Sequence, residues 1–395
     1  MSSDFHYSIL VHYSEIALKK NNRKFFEKIF ISNIKSHIKG LNYSSIKLYE
    51  ARVFIHDIDV NIWGQFKDRL SNVMGLKNFI LMLRTKTDIN DIKLASINLI
   101  ENKNFNSFRI TTKRNYKKFN LTSQDVNIEV GECIRTKTKK SVNLDNPELI
   151  IFIEILKNNT FVGISKINGY SGLPANCQER ALSLISSGID SPVASFNMIK
   201  RGVTLDYIHF HSYPAINKQS INNVKKILNV LSKYQLKSNL YLVPLLKIQQ
   251  KIMEVVPDKY WVIFFRKYMI KIANDIAIKN NAVALITGDS IGQVASQTLS
   301  NIYAISNDSI LPIIRPLSGL NKEEIINQAN QIGTYEISIE PYEDCCSYFV
   351  PPHPETKAKI EQVNQITKKL DLEQLYNEVV SDIETLKFKY TGDAN

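Results

Sequence analysis

The chain of 395 residues carries only four cysteines, 14 glycines and 12 prolines. Four cysteines over this length do not make a disulfide framework, and Cys133 and Cys177 lack the spacing of metal ligands, so no dedicated metal site is expected and a reducing cytoplasm is the expected location. No apolar run is long enough to cross a bilayer; the best, LIIFIEIL, has the length of a strand. The opening MSSDFHYSIL has no charged region ahead of an apolar stretch, which excludes a secretory signal. Repeats and low-complexity tracts are also missing, which argues against a repeat architecture.

The charge balance points elsewhere. Lys and Arg number 50 against 38 Asp and Glu, a net charge of +12, which favours a polyanionic partner, nucleic acid ahead of membrane. A Lys-, Asn- and Ile-rich composition accounts for part of that excess. Because glycine is scarce, LISSGIDSPVASF (184–196) stands out. The preceding ALSLI reads as a buried strand. From Pro192 onward Val193, Phe196 and Ile199 fall at helical spacing, with Ser191 as N-cap and Pro192 at the first helical position. Gly202 ends this helix and VTLDYIHF reads as the next strand, which together make a βαβ unit. Backbone N–H groups at the helix start would make an anion site. Locally, an ordinary strand-to-helix connection explains the pattern as well.

Three segments differ in texture, so an α/β and α+β multidomain chain is expected. Residues 1–60 show strand (YSILVHY), basic helix (RKFFEKIFISNIKSHIK) and one strand (SIKLYEARVFIH). Residues 61–167 alternate helices and strands, ending in the strands ELIIFIEIL and TFVGISKI. After the linker NGYSGLPANCQE, residues 178–395 alternate helices with short apolar strands, as in a doubly wound sheet. The middle segment carries two basic runs, one with Lys113, Arg114, Lys117 and Lys118, the other with Arg135, Lys137, Lys139 and Lys140. Such clusters neutralise phosphates, and the interleaved Tyr and Phe can stack on bases. A charge run is more often a solvated face, but two in one segment of a basic chain bring the two readings level.

In the last segment TGDSIGQVASQTLSN follows the strand AVALI at its C-terminal end, where such sheets bind ligands. Cys345 and Cys346 lie in EPYEDCCSYFVPPHPETK, a Pro-rich loop rather than a periodic apolar run, which favours a nucleophilic or sulfur-carrying thiol. Glu343 and Asp344 disfavour a thiolate, so a cation such as Lys322, Lys357 or His353 is required nearby.

Taken in order, SSGIDSPVA, TGDSIGQVASQTLSN, LPIIRPLSGLNKEEII and YEDCCSYFVPPHPETK resemble the tRNA 4-thiouridine synthetase (tRNA sulfurtransferase) family. YSEIALKKNNRKFFEKI, FNLTSQDVNIEVG and VNLDNPELIIFIEI resemble it too, so nearly the whole chain is covered. The resemblance implies a ferredoxin-like N-terminal domain, a THUMP RNA-binding domain and a Rossmann-like PP-loop domain of the adenine nucleotide alpha hydrolase type. It implies transfer of persulfide sulfur to uridine 8 of tRNA, after ATP adenylates O4, with Mg²⁺ at the phosphates.

Carried over residue by residue, the PP-loop is Ser186, Ser187, Gly188, Asp190 and Ser191. Further ATP contacts fall on Leu184, Ile185, His209, Phe210, Arg266, Gly288 and Gln297. Asp190, Lys322 and Cys345 become the catalytic set, with Cys346 as the nearest substitute for Cys345. The implied partners are tRNA, a cysteine desulfurase as persulfide donor because no rhodanese segment is seen, a sulfur-carrier protein of thiamine thiazole synthesis, and a second copy in a homodimer. Ser187 stands where the family pattern S-G-G-x-D-S has glycine, so a loop needing φ > 0 there would be weakened. A different PP-loop tRNA-modifying enzyme, or an RNA-binding protein without catalysis, are the alternatives.

Overall fold

The computed structural model describes residues 6–49, 51–341, 349 and 351–392. Cys345 and Cys346, with Glu343 and Asp344, lie outside the described residues. The chain divides into two compact units, Met1–Leu173 and Pro174–Asn395. No helix among the described residues is long and apolar enough to cross a membrane.

In the first unit the elements run β1 (His6–Tyr13), α1 (Arg23–His37), β2 (Ser45–Tyr49), β3 (Arg52–Ile58), α2 (Trp63–Ser71), β4 (Leu76–Thr85), α3 (Ile89–Ile100), β5 (Ser107–Arg114), α4 (Ser123–Thr138), β6 (Ser141–Val142), β7 (Leu149–Ile155) and β8 (Thr160–Asn168). Among the described residues they make one sheet ordered β2-β3-β1-β4-β8-β7-β5-β6. The stretch SIKLYEARVFIH, expected as one strand, is two antiparallel strands. Ala51, at φ +69°, turns the chain with no Gly, Asn or Pro to announce it.

Helix starts are legible at Asp88, whose carboxylate accepts the N–H groups of Asn90 and Asp91, and at Thr122, which forms a capping box with Asp125. One sheet face packs Ile110, Ile151 and Ile153 with Ile92, Val126 and Ile134 of α3 and α4. Each such side chain contributes about 2 kcal/mol when fully buried. The other face centres on Leu10, Phe54, Ile80, Met82 and Phe161, all from strands.

The second unit runs β9 (Arg180–Leu184), α5 (Asp190–Lys200), β10 (Thr204–His211), α6 (Gln219–Gln235), β11 (Lys237–Pro244), α7 (Leu246–Val255), α8 (Trp261–Lys279), β12 (Leu285–Ile286), α9 (Leu299–Ser306), β13 (Ile313–Ile314), α10 (Lys322–Ile332) and, near its end, β14 (Glu384–Lys389). The sheet order is β13-β12-β9-β10-β11-β14, parallel except for β14, which pairs antiparallel with β11. From β9 the chain winds outward to β10 and β11, then returns to place β12 on the opposite side. The crevice between the C-terminal ends of β9 and β12 is therefore the switch point where open α/β sheets bind ligands.

Sequence periodicity missed β14 because only Leu386 and Phe388 of ETLKFK are partly buried; the lysines belong to a sheet edge. Helix α5 begins at Asp190, so Ser191 is inside the helix and is not its N-cap. Its hydroxyl instead turns back to the loop, where it has more donors and acceptors to meet than at the cap.

Candidate functional site

The loop from Ile185 to Ile189 leaves β9 and enters α5. Ser191 Oγ accepts the Ser186 N–H at 2.8 Å and lies 3.1 Å from Ser186 Oγ, which in turn accepts the Gly188 N–H at 3.3 Å. These bonds tighten the turn over the first helical residues, leaving the helix N-terminus facing the crevice. Ser187 is fully buried, takes no left-handed backbone and has no hydrogen-bond partner on Oγ among the described residues. The loop therefore accepts a Cβ at this position without backbone strain.

The close approach belongs to Gly288 instead. A Cβ there would stand 2.7 Å from the Ser191 nitrogen and 2.8 Å from its Cα, so only glycine lets the β12 end lie against the start of α5.

Between these two loops lies a cavity of about 250 Å³. Its walls include Leu184, Ile185, Ser186, Asp190, Ser191, His209, Phe210, Arg266, Gly288 and Gln297, so ten of the residues expected from sequence are brought together. Ser187 and Gly188 belong to the loop but not to its wall; the Gly188 carbonyl accepts from Ser338 Oγ at 3.3 Å.

His209 Nδ1 lies 2.9 Å from the Ile185 carbonyl, which can only accept, so Nδ1 carries the proton and Nε2 is left as a bare acceptor. Nε2 has no partner among the described residues, and burial lowers the His209 pKa to about 4, so the ring is neutral near pH 7. Gln297 Oε1 is likewise buried without a partner. Two unsatisfied polar atoms in one cavity mark places where a ligand's donors belong.

Charge in the site is held by two networks. Asp190 Oδ1 lies 2.7 Å from Lys322 Nζ, and its Oδ2 accepts from Gln293 Nε2 at 2.9 Å. Lys322 is aimed by the capping box of α10, in which Asn321 and Glu324 exchange bonds of 2.8 and 2.9 Å. Asp289, 4% exposed, pairs with Arg266, with Arg315 Nε at 3.2 Å and with the Thr287 hydroxyl at 2.8 Å. Burial pushes its carboxyl up, but Arg266, Thr287 and Arg315 outweigh burial and hold it below the usual carboxylate range. Arg266 is thereby fixed in the cavity wall, with Ser296 Oγ at 3.2 Å as a further partner.

Asp289, Arg315 and Gln293 were given no role from sequence. Asp289 and Gln293 sit in TGDSIGQ and Arg315 in LPIIRPL, beside residues that were singled out. No group of three or more His, Cys, Asp or Glu side chains that could hold a metal occurs among the described residues.

The basic runs lie in the first unit. Lys113 is exposed on β5, and Lys117 and Lys118 are exposed in the turn after it. Arg114 is committed elsewhere, with Nη1 3.0 Å from the carbonyls of both Phe119 and Leu121. Arg135 forks onto Glu132 at 2.7 and 2.9 Å, while Lys137 and Lys139 are exposed at the end of α4 and Lys140 is half-buried. Tyr116 and Phe119 pack against the α3/α4 core.

Comparison with known proteins accounts for both units. Residues 8–79 match the ThiI ferredoxin-like domain, 86–165 the THUMP domain, and 176–372 the family described as thiamine biosynthesis protein (ThiI). The chain is 37% identical over 391 residues to a probable tRNA sulfurtransferase of Bacillus pumilus (strain SAFR-032), covering 96% of each chain. It is 36% identical over 380 residues to a probable tRNA sulfurtransferase of Thermus thermophilus, covering 96% of this chain and 93% of that one. A crystal structure of a 4-thiouridine synthetase–RNA complex with bound ATP superposes with a TM-score of 0.89 at 34% identity, covering 97% of this chain and all of that one. The fold is thus the ferredoxin-like, THUMP and PP-loop combination.

Proposed function

The chain belongs to the tRNA sulfurtransferase family, and from that premise we propose that it uses ATP and a cysteine persulfide to convert uridine 8 of tRNA to 4-thiouridine. The observation that carries this reading is the Asp190–Lys322 pair at the start of α5, facing a cavity whose wall also holds Arg266 and the bare acceptor His209 Nε2. A nucleotide matches that wall. His209 Nε2 and Gln297 Oε1 are acceptors for the base's amino group or the ribose hydroxyls. The loop N–H groups and the α5 N-terminus receive the phosphates. Leu184, Ile185 and Phe210 supply the apolar contact.

The chemistry needs an activated O4, because a uridine oxygen leaves poorly on its own. O4 attacks the α-phosphorus of ATP and pyrophosphate departs; the terminal sulfur of a persulfide then adds at C4 and AMP leaves with O4. A second thiol attacks the carrier cysteine's sulfur, breaking the S–S bond so that the sulfur stays on C4, and the disulfide that forms is reduced by an external dithiol. Lys322 and Arg266 stabilise the negative charge that builds on the phosphorus oxygens. Asp190 orients Lys322 and is the carboxylate that would hold Mg²⁺ together with the phosphates, a mode in which one carboxylate suffices. Cys345 carries the persulfide, with Cys346 next to it; both follow from the family resemblance, in a segment outside the described residues. A cysteine desulfurase loads the persulfide. The same thiol can serve a sulfur-carrier protein of thiamine thiazole synthesis, and a homodimer of this chain in the cytoplasm completes the reading.

The test is the near-UV absorbance of 4-thiouridine in tRNA. Unmodified tRNA incubated with this protein, ATP, sulfur-35-labelled cysteine and a desulfurase gains the chromophore and the label at position 8. Sulfur found at another position, or none with ATP consumed, overturns the proposal.

A further inference from the structure

The loop after β12 supplies Gly288, Asp289, Ser296 and Gln297 to the wall of the nucleotide cavity. Gln293, in the middle of that loop, is not in the wall. It reaches Asp190, which is, with Nε2 2.9 Å from Asp190 Oδ2, while Lys322 Nζ holds the other carboxylate oxygen at 2.7 Å. The Gln293 amide therefore sits at the border of the cavity, beside the residues that face the reacting phosphate. Gln293 holds Asp190, and by the same bond Asp190 holds Gln293. A carboxylate paired with a lysine can only accept, so the amide cannot turn over: its nitrogen faces Asp190 and its oxygen faces away. Among the described residues no donor meets Gln293 Oε1, and Nε2 keeps a second hydrogen.

The backbone that carries this amide is tied down at several points. The Gly292 N–H donates to the Gln297 carbonyl at 3.0 Å, the Gln297 N–H to the Val294 carbonyl at 2.9 Å, and the Ile291 N–H to the Ser318 carbonyl at 3.4 Å. On either side of Gln293 in the chain, two apolar side chains are left in the open: Ile291 is 50% exposed and Val294 51%. A fixed amide between two displayed aliphatic groups offers a planar ligand both an edge to pair with and apolar surface to lie against.

We propose that Gln293 reads the target uracil, with N3–H donating to Oε1, O4 accepting from Nε2, and the extruded ring lying against Ile291 and Val294. The inference rests on uridine in tRNA being the substrate, as proposed above. Bases taken out of the stack are read in this manner, by hydrogen bonds to the Watson–Crick edge beside apolar side chains. Cytosine presents the reverse pattern, a bare N3 and an amino group, and the amide cannot flip to suit it without giving up Asp190. Pairing O4 with Nε2 also brings O4 to the Asp190 side of the cavity. The contact acts before the chemistry: as O4 takes the adenylyl group the ring becomes C4=N3 and the N3 proton passes to water, so the amide selects uracil and not the intermediate.

The experiment has two arms, both on the full chain. In the first, tRNA carrying 4-thiouridine at position 8, which keeps N3–H and has sulfur in place of O4, is irradiated in the near ultraviolet in complex with the protein, and the crosslinked peptide is mapped. The crosslink falls on residues 291–294; a crosslink elsewhere, or none, overturns the proposal. In the second, Gln293→Leu, which keeps the side-chain size without donor or acceptor and is verified as folded by thermal melting, is assayed on an unmodified transcript. Loss of the paired edge lowers the fraction of bound tRNA with its base in place, so kcat falls by about 10- to 100-fold while the Kd values for tRNA and ATP stay at wild type. Wild-type kcat overturns the proposal, and so does a parallel loss of ATP affinity, which reduces Gln293 to a support of Asp190. Thiolation by the wild-type protein separates the two claims: no 4-thiouridine at all defeats the proposed reaction, whereas thiolation with the crosslink elsewhere defeats this contact alone.

Discussion

Asp289→Asn removes the charge on which Arg266 and Arg315 converge. The carboxylate is 4% exposed, and each arginine keeps a second partner, Ser296 Oγ at 3.2 Å for Arg266 and Ser306 Oγ at 2.5 Å for Arg315. Breaking a buried ion pair by removing one partner costs about 3–5 kcal/mol, and the retained bonds place this case near the lower end, about 3 kcal/mol. In a domain of about 200 residues that lowers the melting temperature by roughly 6–12 °C. The pH dependence has a definite sign. Because the folded carboxyl lies below its unfolded value, it contributes stability above the unfolded value, and that stability is lost as pH falls through the lower folded value. The wild-type protein therefore loses part of its stability on acidification below about pH 4, and the Asn variant lacks that part of the loss. Calorimetry of both proteins from pH 3 to 7 measures the two effects together. A variant that melts within a degree of wild type with the same acid limb would refute the view that this carboxylate holds the two guanidinium groups.

Gly288→Ala forces a Cβ to within 2.7 Å of the Ser191 nitrogen; as the obstacle is backbone, the α5 start shifts at a cost of about 1–3 kcal/mol, and ATP affinity measured by equilibrium dialysis collapses in a folded protein. Asp190→Ala abolishes pyrophosphate release but leaves tRNA affinity intact in a filter-binding assay, and parallel loss of both would defeat the division of labour. Arg114→Ala lowers the melting temperature by breaking the bonds to the Phe119 and Leu121 carbonyls, and it leaves the salt slope of tRNA binding unchanged, unlike Lys117→Gln/Lys118→Gln. Cys345→Ser still adenylates tRNA and releases pyrophosphate but makes no 4-thiouridine, whereas Cys346→Ser retains product; the reverse pattern moves the persulfide to Cys346.

The site was legible where local chemistry leaves a mark in the sequence. A loop of small residues between an apolar strand and a helix exposes Ser186, Asp190 and Ser191 to a reader because few other purposes need that composition. His209 and Arg266 came only from the family resemblance, since a histidine ending a strand and an arginine on an apolar helix have ordinary explanations. Asp289 and Gln293 went unassigned because their work is to hold other side chains, and partners distant in sequence carry no local signal. The turn at Ala51 and the edge strand β14 were illegible for a related reason: a left-handed alanine and a lysine-rich strand are both made tolerable by the sheet around them. Ser187 shows the converse. A departure from the expected glycine looked damaging in sequence, but the demand for a missing Cβ lies across the crevice at Gly288.

Strand β4 is hydrogen-bonded to β1 on one side and to β8 on the other, so the ferredoxin-like and THUMP segments share one slab of sheet. At about 4.8 Å per strand spacing, the eight strands span about 34 Å without a joint. A slab of that kind has no hinge within the sheet, so its two edges are held at a set distance from each other. The same continuity sets the limits of dissection, for a fragment cut between β3 and β4 would bare the full length of a strand edge and would associate with its own copies before it could report on RNA.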